Sequence, residues 1–147
     1  MATTFKWATP EATVTTLSGG LNSLANATFS GAGTAITNET DLFEYMNLEL
    51  FLAIQGSARS AGATVDVYID RSWDAGSTYE DTGNTAFSGQ YLYSFSLDAS
   101  TTARTLIGTN IPIPPLHFKL NVYNNTGQAF NASTNVLSYR RHNEQGV

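Results

Sequence analysis

The chain has 147 residues, the length of one domain that buries roughly 70% of the surface its unfolded form exposes. Only 13% of residues are charged, about half the usual ~25%, whereas 20 Thr, 13 Ser, 12 Asn and 12 Gly supply a surface that is polar without being ionised. Seven Lys and Arg against twelve Asp and Glu leave a net charge of −5, and the longest basic run is the pair Arg140-Arg141, which argues against nucleic acid as a partner.

Residues 1–20, MATTFKWATPEATVTTLSGG, are rich in Thr and Ala and carry little periodicity. They are expected to form an extended N-terminal arm, a contact segment with Phe5 and Trp7 as aromatic anchors, followed by a single β-sandwich domain over residues 21–147. The arm has no apolar core of signal-peptide length, and no run in the chain approaches the ~20 apolar residues that span a bilayer, so the chain reads as soluble, with neither a membrane partner nor a secretion address.

From Glu44 to Gln55 the even positions Met46, Leu48, Leu50, Leu52 and Ile54 are apolar, which is the period of a half-buried strand with its even face in the core. A helix competes, because Leu42, Met46, Leu50 and Ile54 also recur every four residues, but strands dominate elsewhere. Val65, Val67 and Ile69 alternate with Asp66, Tyr68 and Asp70; Tyr91, Tyr93, Phe95 and Leu97 alternate with Leu92, Ser94 and Ser96; Phe118, Leu120 and Val122 alternate with Lys119, Asn121 and Tyr123. Shorter candidates at 27–29, around Ile36, at 104–107 and at 136–140 bring the count to seven to nine strands, spaced as in a sandwich. Turns are expected at Ser18-Gly19-Gly20, at 30–33, at 81–84 and at 124–127, the last read as a hairpin connection. Pro112, Pro114 and Pro115 cannot donate to a ladder, so IPIPPL belongs to an edge or a crossover, not to a central strand. The fold class is therefore all-β, an antiparallel sandwich of jelly-roll-like character.

Chemistry is thinly supplied. The chain has no Cys, hence no disulfide, thiolate metal site or Cys nucleophile, and no nucleophile elbow, phosphate loop, metalloprotease or calcium-loop motif occurs. Of its two His, His117 reads as a cross-strand or solvent-facing residue and His142 as part of a C-terminal contact tail. Asp66 and Asp70 share a strand face about 13 Å apart, too far for either glycosidase geometry. Four N-x-S/T sequons, at Asn26, Asn38, Asn124 and Asn131, are of the number that chance supplies in so Asn- and Thr-rich a chain.

The densest segment is residues 70–81, which combines acids and Arg71 with Trp73 and Tyr79. It can be read as a calcium loop, as a sugar-stacking platform built on Trp73 and Tyr79, or as a long hairpin loop whose aromatics cap the sandwich or meet a neighbouring chain, the last carrying the most weight. The other concentration of contact-type side chains is Tyr139-Arg140-Arg141-His142, where arginines could pair bidentately with a partner's carboxylates, the alternative for both termini being packing on their own sandwich. No residue is assigned to catalysis, to a cofactor or to a metal.

Taken in order, LNSLAN, ITNETDLFEYMNLELFL, GATVDVYI with its WDAGSTYED loop, TTARTLI, IPIPPLHFKLNVYNNTGQAF and NVLSYRRHNEQ resemble small β-sandwich structural proteins of tailed bacteriophages, of the head decoration or cement type. The resemblance spans nearly the whole chain and is most specific in PPLHFKL followed by NNTGQAF. It implies a non-enzymatic virion component on the capsid surface. Its partners would be the major capsid protein and further copies of itself, as a homo-oligomer for which a trimer is one form. A tail, neck or baseplate subunit is the first alternative, and a carbohydrate-binding module using Trp73, Tyr79 and Tyr91 the second. Hydrolysis of a glycan by an acid pair from 70–81 is a minor third. A low-charge exterior suits the first reading, because it can be covered by protein without stranding ions, and many copies on a lattice add modest contacts through effective concentration.

Overall fold

The computed structural model describes residues 5–80 and 89–146, so the expected turn at 81–84 lies outside the described residues. Eleven strands run through them: β1 (Phe5–Trp7), β2 (Val14–Leu17), β3 (Thr28–Phe29), β4 (Ile36–Thr37), β5 (Tyr45–Leu52), β6 (Thr64–Ser72), β7 (Gln90–Ser96), β8 (Arg104–Pro112), β9 (His117–Asn125), β10 (Val136–His142) and β11 (Glu144–Gly146). One short 3₁₀ turn, Gly19–Leu21, falls where Ser-Gly-Gly ends β2. No helix competes for residues 44–55: β-branched and aromatic neighbours, and a ladder on both sides of β5, favour the strand.

Two antiparallel sheets pack face to face as a sandwich. One has the order β2-β10-β5-β8, the other β3-β9-β6-β7 with β4 also paired to β9, and β1 with β11 forms a separate two-stranded ribbon. The inner face of the first sheet is the even face of β5, Met46, Leu48, Leu50 and Leu52, all at most 1% exposed. Opposite them stand Val65, Val67 and Ile69 of β6 and Phe118, Leu120 and Val122 of β9, none more than 2% exposed. At about 25 cal/mol per Å² of apolar area removed from water, these alternating side chains are the main stabilising term of a chain without cross-links. Pro112 ends β8, which is an edge strand, so its missing N–H costs no ladder bond.

Three expectations are corrected. Residues 124–127 are not a hairpin connection: the chain leaves β9 at Asn125 and crosses to the other sheet, reaching β10 at Val136. Gly127, at φ +81°, makes the turn, and the buried Asn124 side chain, not a two-residue loop, organises it. The segment before residue 20 is not featureless, since β2 is an edge strand of the four-stranded sheet and β1 pairs Phe5 with Gly146 and Trp7 with Glu144. Finally, His142 is not part of a tail: the expected strand at 136–140 runs on to it as β10, which pairs with β5 along its whole length and with β2 at Leu137–Tyr139.

Candidate functional site

Register decides what each C-terminal side chain does. Residues directly opposite in an antiparallel pair share a face, so Tyr139 opposite Leu48 and Arg141 opposite Met46 point into the sandwich, while Arg140 and His142 point outward. Arg141 is consequently 8% exposed, a charge on the core side that must be paired. Glu11 supplies the partner within the same chain: its carboxylate accepts from Nε at 2.7 Å and Nη2 at 3.0 Å, and Thr37 O and Asp41 take further guanidinium N–H groups. Phe43 lies 4.7 Å from the guanidinium carbon. Burial works against the charge, but the Glu11 carboxylate more than offsets it and holds Arg141 above the ordinary arginine range.

His142 is 2% exposed because Trp7 of β1 covers it, edge to face at 5.1 Å between ring centroids, with Tyr45 beside both. Its Nε2 is 3.2 Å from Asn110 Oδ1, an acceptor, which makes Nε2 the protonated nitrogen of a neutral ring; burial pushes its pKa below the ordinary histidine value. Of the predicted contact residues, Tyr139, Arg141 and His142 are thus engaged inside the molecule. Arg140 is exposed, with its Nε donating to Glu11 O at 3.0 Å. Phe5 lies in β1, paired with Gly146.

Of the 70–81 segment, residues 70–80 are described, and they form a braced hairpin at the end of β6. Ser72 pairs with Tyr79 as an isolated bridge, Glu80 N–H donates to Arg71 O at 2.9 Å, and Ala75 and Gly76 turn the chain at φ +54° and +87°. A Cβ on Gly76 would sit 3.3 Å from the Tyr79 hydroxyl as well, so glycine is required there on two counts. Asp74 caps the turn, accepting from Thr78 N–H at 2.6 Å and from Ser72 Oγ at 2.9 Å, and the Thr78 bonds hold its carboxyl below the usual range. Among the described residues no three His, Asp or Glu gather as metal ligands would, and Asp74 is committed to its own turn.

Trp73 and Tyr79 are used differently. The Lys119 ammonium lies 3.8 Å from the Tyr79 ring centroid, so that face is occupied by the protein itself. Trp73 is 88% exposed. It borders a cleft of about 170 Å³ lined also by Arg71, Ser72, Glu80 and Leu116. Across that cleft Arg71 and Glu80 pair bidentately, at 2.9 Å from Nε and 2.6 Å from Nη2, and this pairing lowers the Glu80 pKa and raises that of Arg71.

Tyr91, on the edge strand β7, is 54% exposed and meets Tyr68 edge to face, which in turn meets Phe29, and Phe29 lies against Tyr123, a row across the outer face of the larger sheet. Beside that row, Asp66 accepts from Ser94 Oγ at 2.5 Å. His117 opens β9 with Nδ1 3.2 Å from Glu39 Oε1, on the loop after β4.

The outer face of the four-stranded sheet is of another kind. Ile107 is 63% exposed; in register beside it stand Glu49, Ser138 and Thr15, and in the next row Thr105, Phe51 and Val136. A shallow groove of about 160 Å³ runs between Ile107 and Arg140. Glu49 is the charge in these rows, and Arg140 stands in the row on the other side of it, opposite Asn47.

Sequence reasoning missed the buried polar side chains that hold the loops. Asn124, fully buried, donates to Leu24 O and Gln128 O at 2.9 and 2.8 Å and accepts from Thr126 N–H and Oγ1. Asn38, also fully buried, bonds Phe43 and Pro114 in the same manner. Both belong to sequons, and both are closed to modification in the folded chain. Arg59, 2% exposed, bonds Gln55, Thr102 O and Asp98. The only available signal was the clustering of Asn with Thr and Gly at expected turns. A comparison with models of known protein families finds no match, and a comparison with curated protein sequences finds none either.

Proposed function

We propose that this chain is a structural component of a tailed-bacteriophage virion, a capsid decoration or cement protein that reinforces the head by binding the major capsid protein lattice and further copies of itself. The observation that supports this reading best is the outer face of the four-stranded sheet. It presents the exposed Ile107 with Phe51 and Val136 among short hydroxyl side chains, with Glu49 as the charge in those rows and Arg140 in the adjoining row, opposite Asn47. An exposed apolar patch rimmed by small polar groups is what a protein contact requires. Covering it strands few ions and orders few long side chains, so both desolvation and entropy costs stay low. The surface needs no great affinity per copy, because neighbours on a lattice raise one another's occupancy.

The test is reconstitution. Recombinant chain mixed with purified heads that lack it should cosediment with them and raise their resistance to heat and chaotrope. Ile107→Glu should weaken that association at least tenfold while leaving the melting temperature of the free chain unchanged, because Ile107 is already solvated there. Absence of binding to heads overturns the reading; binding to tails or baseplates in few copies per particle replaces it with the tail, neck or baseplate role.

A further inference from the structure

We propose that the cleft beside Trp73 is a binding site for a neutral saccharide, a function separate from any contact the outer sheet face makes. Three observations carry it. Trp73 is the most exposed large apolar side chain of the described residues, 88% against 63% for the next, Ile107. It is not on a slack loop: the Ser72–Tyr79 bridge, the Glu80-to-Arg71 backbone bond and the Asp74 cap hold the hairpin that presents it. A rigid indole with an open ring face offers a large contact area at little entropic cost, and its surface matches the C–H face of a pyranose.

The third observation is what stands next to the indole. Arg71 and Glu80 close on each other bidentately yet remain 37% and 41% exposed, so the pair is reachable from the cleft. A guanidinium has five N–H donors and a carboxylate about four lone-pair sites. In the pair, Arg71 spends its Nε and Nη2 groups, and Glu80 accepts these and, at 3.3 Å, the Arg71 backbone N–H. Donors and at least one acceptor site therefore remain side by side. Hydroxyl groups, each donor and acceptor at once, are the ligand groups that use both. The charges cancel, so neither a phosphate or sulfate nor a cation meets an uncompensated opposite charge there. Leu116 and the buried Ser72 complete a cleft of about 170 Å³ in which the ion pair stands beside the apolar Trp73 and Leu116, an apolar wall with a few placed polar groups as in a small-molecule site.

The test follows the Trp73 indole N–H signal by heteronuclear NMR in the intact chain, assigned by its loss in Trp73→Ala. The chain is titrated with glucose, galactose, mannose and N-acetylglucosamine and their disaccharides, with sialic acid and inorganic phosphate as charged comparators. The expected result is a saturable shift of the Trp73 signal, at millimolar affinity, with at least one neutral sugar and no shift of the Trp7 signal. Glu80→Gln and Arg71→Ala should each weaken that affinity about tenfold, and Trp73→Phe should retain part of it. The proposal fails if no neutral sugar shifts the Trp73 signal, if the charged comparators bind more tightly, or if Trp73→Ala abolishes association with heads, which would make Trp73 a protein contact. A negative titration with intact head binding removes this site alone; sugar binding without head binding removes only the capsid role.

Discussion

The molecule contains two bidentate Arg–Glu pairs, one inside and one outside, and the two are put to opposite ends. Glu11–Arg141 sits on the core face of β10, opposite Met46 of β5, and its side chains are 22% and 9% exposed. Arg71–Glu80 with Trp73 sits on a hairpin beyond the sandwich, at 37% and 41%. Bond lengths hardly differ, 2.7 and 3.0 Å in one pair and 2.9 and 2.6 Å in the other. What differs is the solvent. Inside, the pair fastens the N-terminal segment to the C-terminal strand, because opening it would leave a guanidinium on the core face. Outside, the same pair is neutral furniture beside an open ring, free to exchange its remaining hydrogen bonds with a ligand.

Removing one partner from each pair breaks that comparison most sharply. Glu11→Ala should cost about 3 kcal/mol, since it strands a buried cation that keeps only Thr37 O and a 3.5 Å contact to Asp41. Glu80→Ala should cost under about 1 kcal/mol, the worth of a half-exposed pair screened by water. Urea unfolding of the two variants under one set of conditions decides it; equal losses would show that burial does not separate the clusters.

The tryptophans give the next largest contrast. Trp7 meets Tyr45 at 5.4 Å and His142 at 5.1 Å, both edge to face, so Trp7→Ala should cost about 1.5 kcal/mol through two aromatic contacts. Trp73→Ala should stay within about 0.5 kcal/mol of the parent, because its ring is already in water. A melting temperature that falls equally in both would place Trp73 in the packed structure.

How far the sequence could reveal these clusters follows from the range of the forces that build them. Strand positions were legible because alternation is local: Met46 to Leu52 and Val65 to Ile69 state their face within a few residues, and the structure agrees. Ordering of strands is non-local, and with it went the terminal cluster. Arg141 reads as a tail residue until β10 is known to lie between β2 and β5; only then does its register opposite Met46 put it inside. Glu11, 130 positions away, carries no local mark of its role. The hairpin is nearly the reverse. Its density of turn-forming and aromatic residues made it conspicuous, yet which aromatic would stay open depended on Lys119, which comes from β9 and covers Tyr79. Buried asparagines escaped notice for a related reason, since an Asn beside Thr and Gly looks alike whether it faces water or three backbone groups.

Acid offers the finest discrimination between the two ends. His142 is buried under Trp7, and its pKa lies below the ordinary value of 6.5 through loss of hydration. Above that value the ring is neutral folded and unfolded, and its contribution is fully present. As pH falls below about 6.5 the unfolded chain takes up a proton that the folded chain refuses, so stability declines until the folded pKa is passed and then levels. Glu80 also has a lowered pKa, through the Arg71 hydrogen bonds. Its contribution is present above about 4.5 and is lost only as pH falls further through the folded value, a separate and lower window. Between about pH 7.5 and 5.5 the parent should therefore lose stability. His142→Gln, which can still donate to Asn110, should flatten this interval, and Glu80→Gln should leave it unchanged. Urea midpoints measured across it would overturn the assignment if Glu80→Gln flattened the profile and His142→Gln did not.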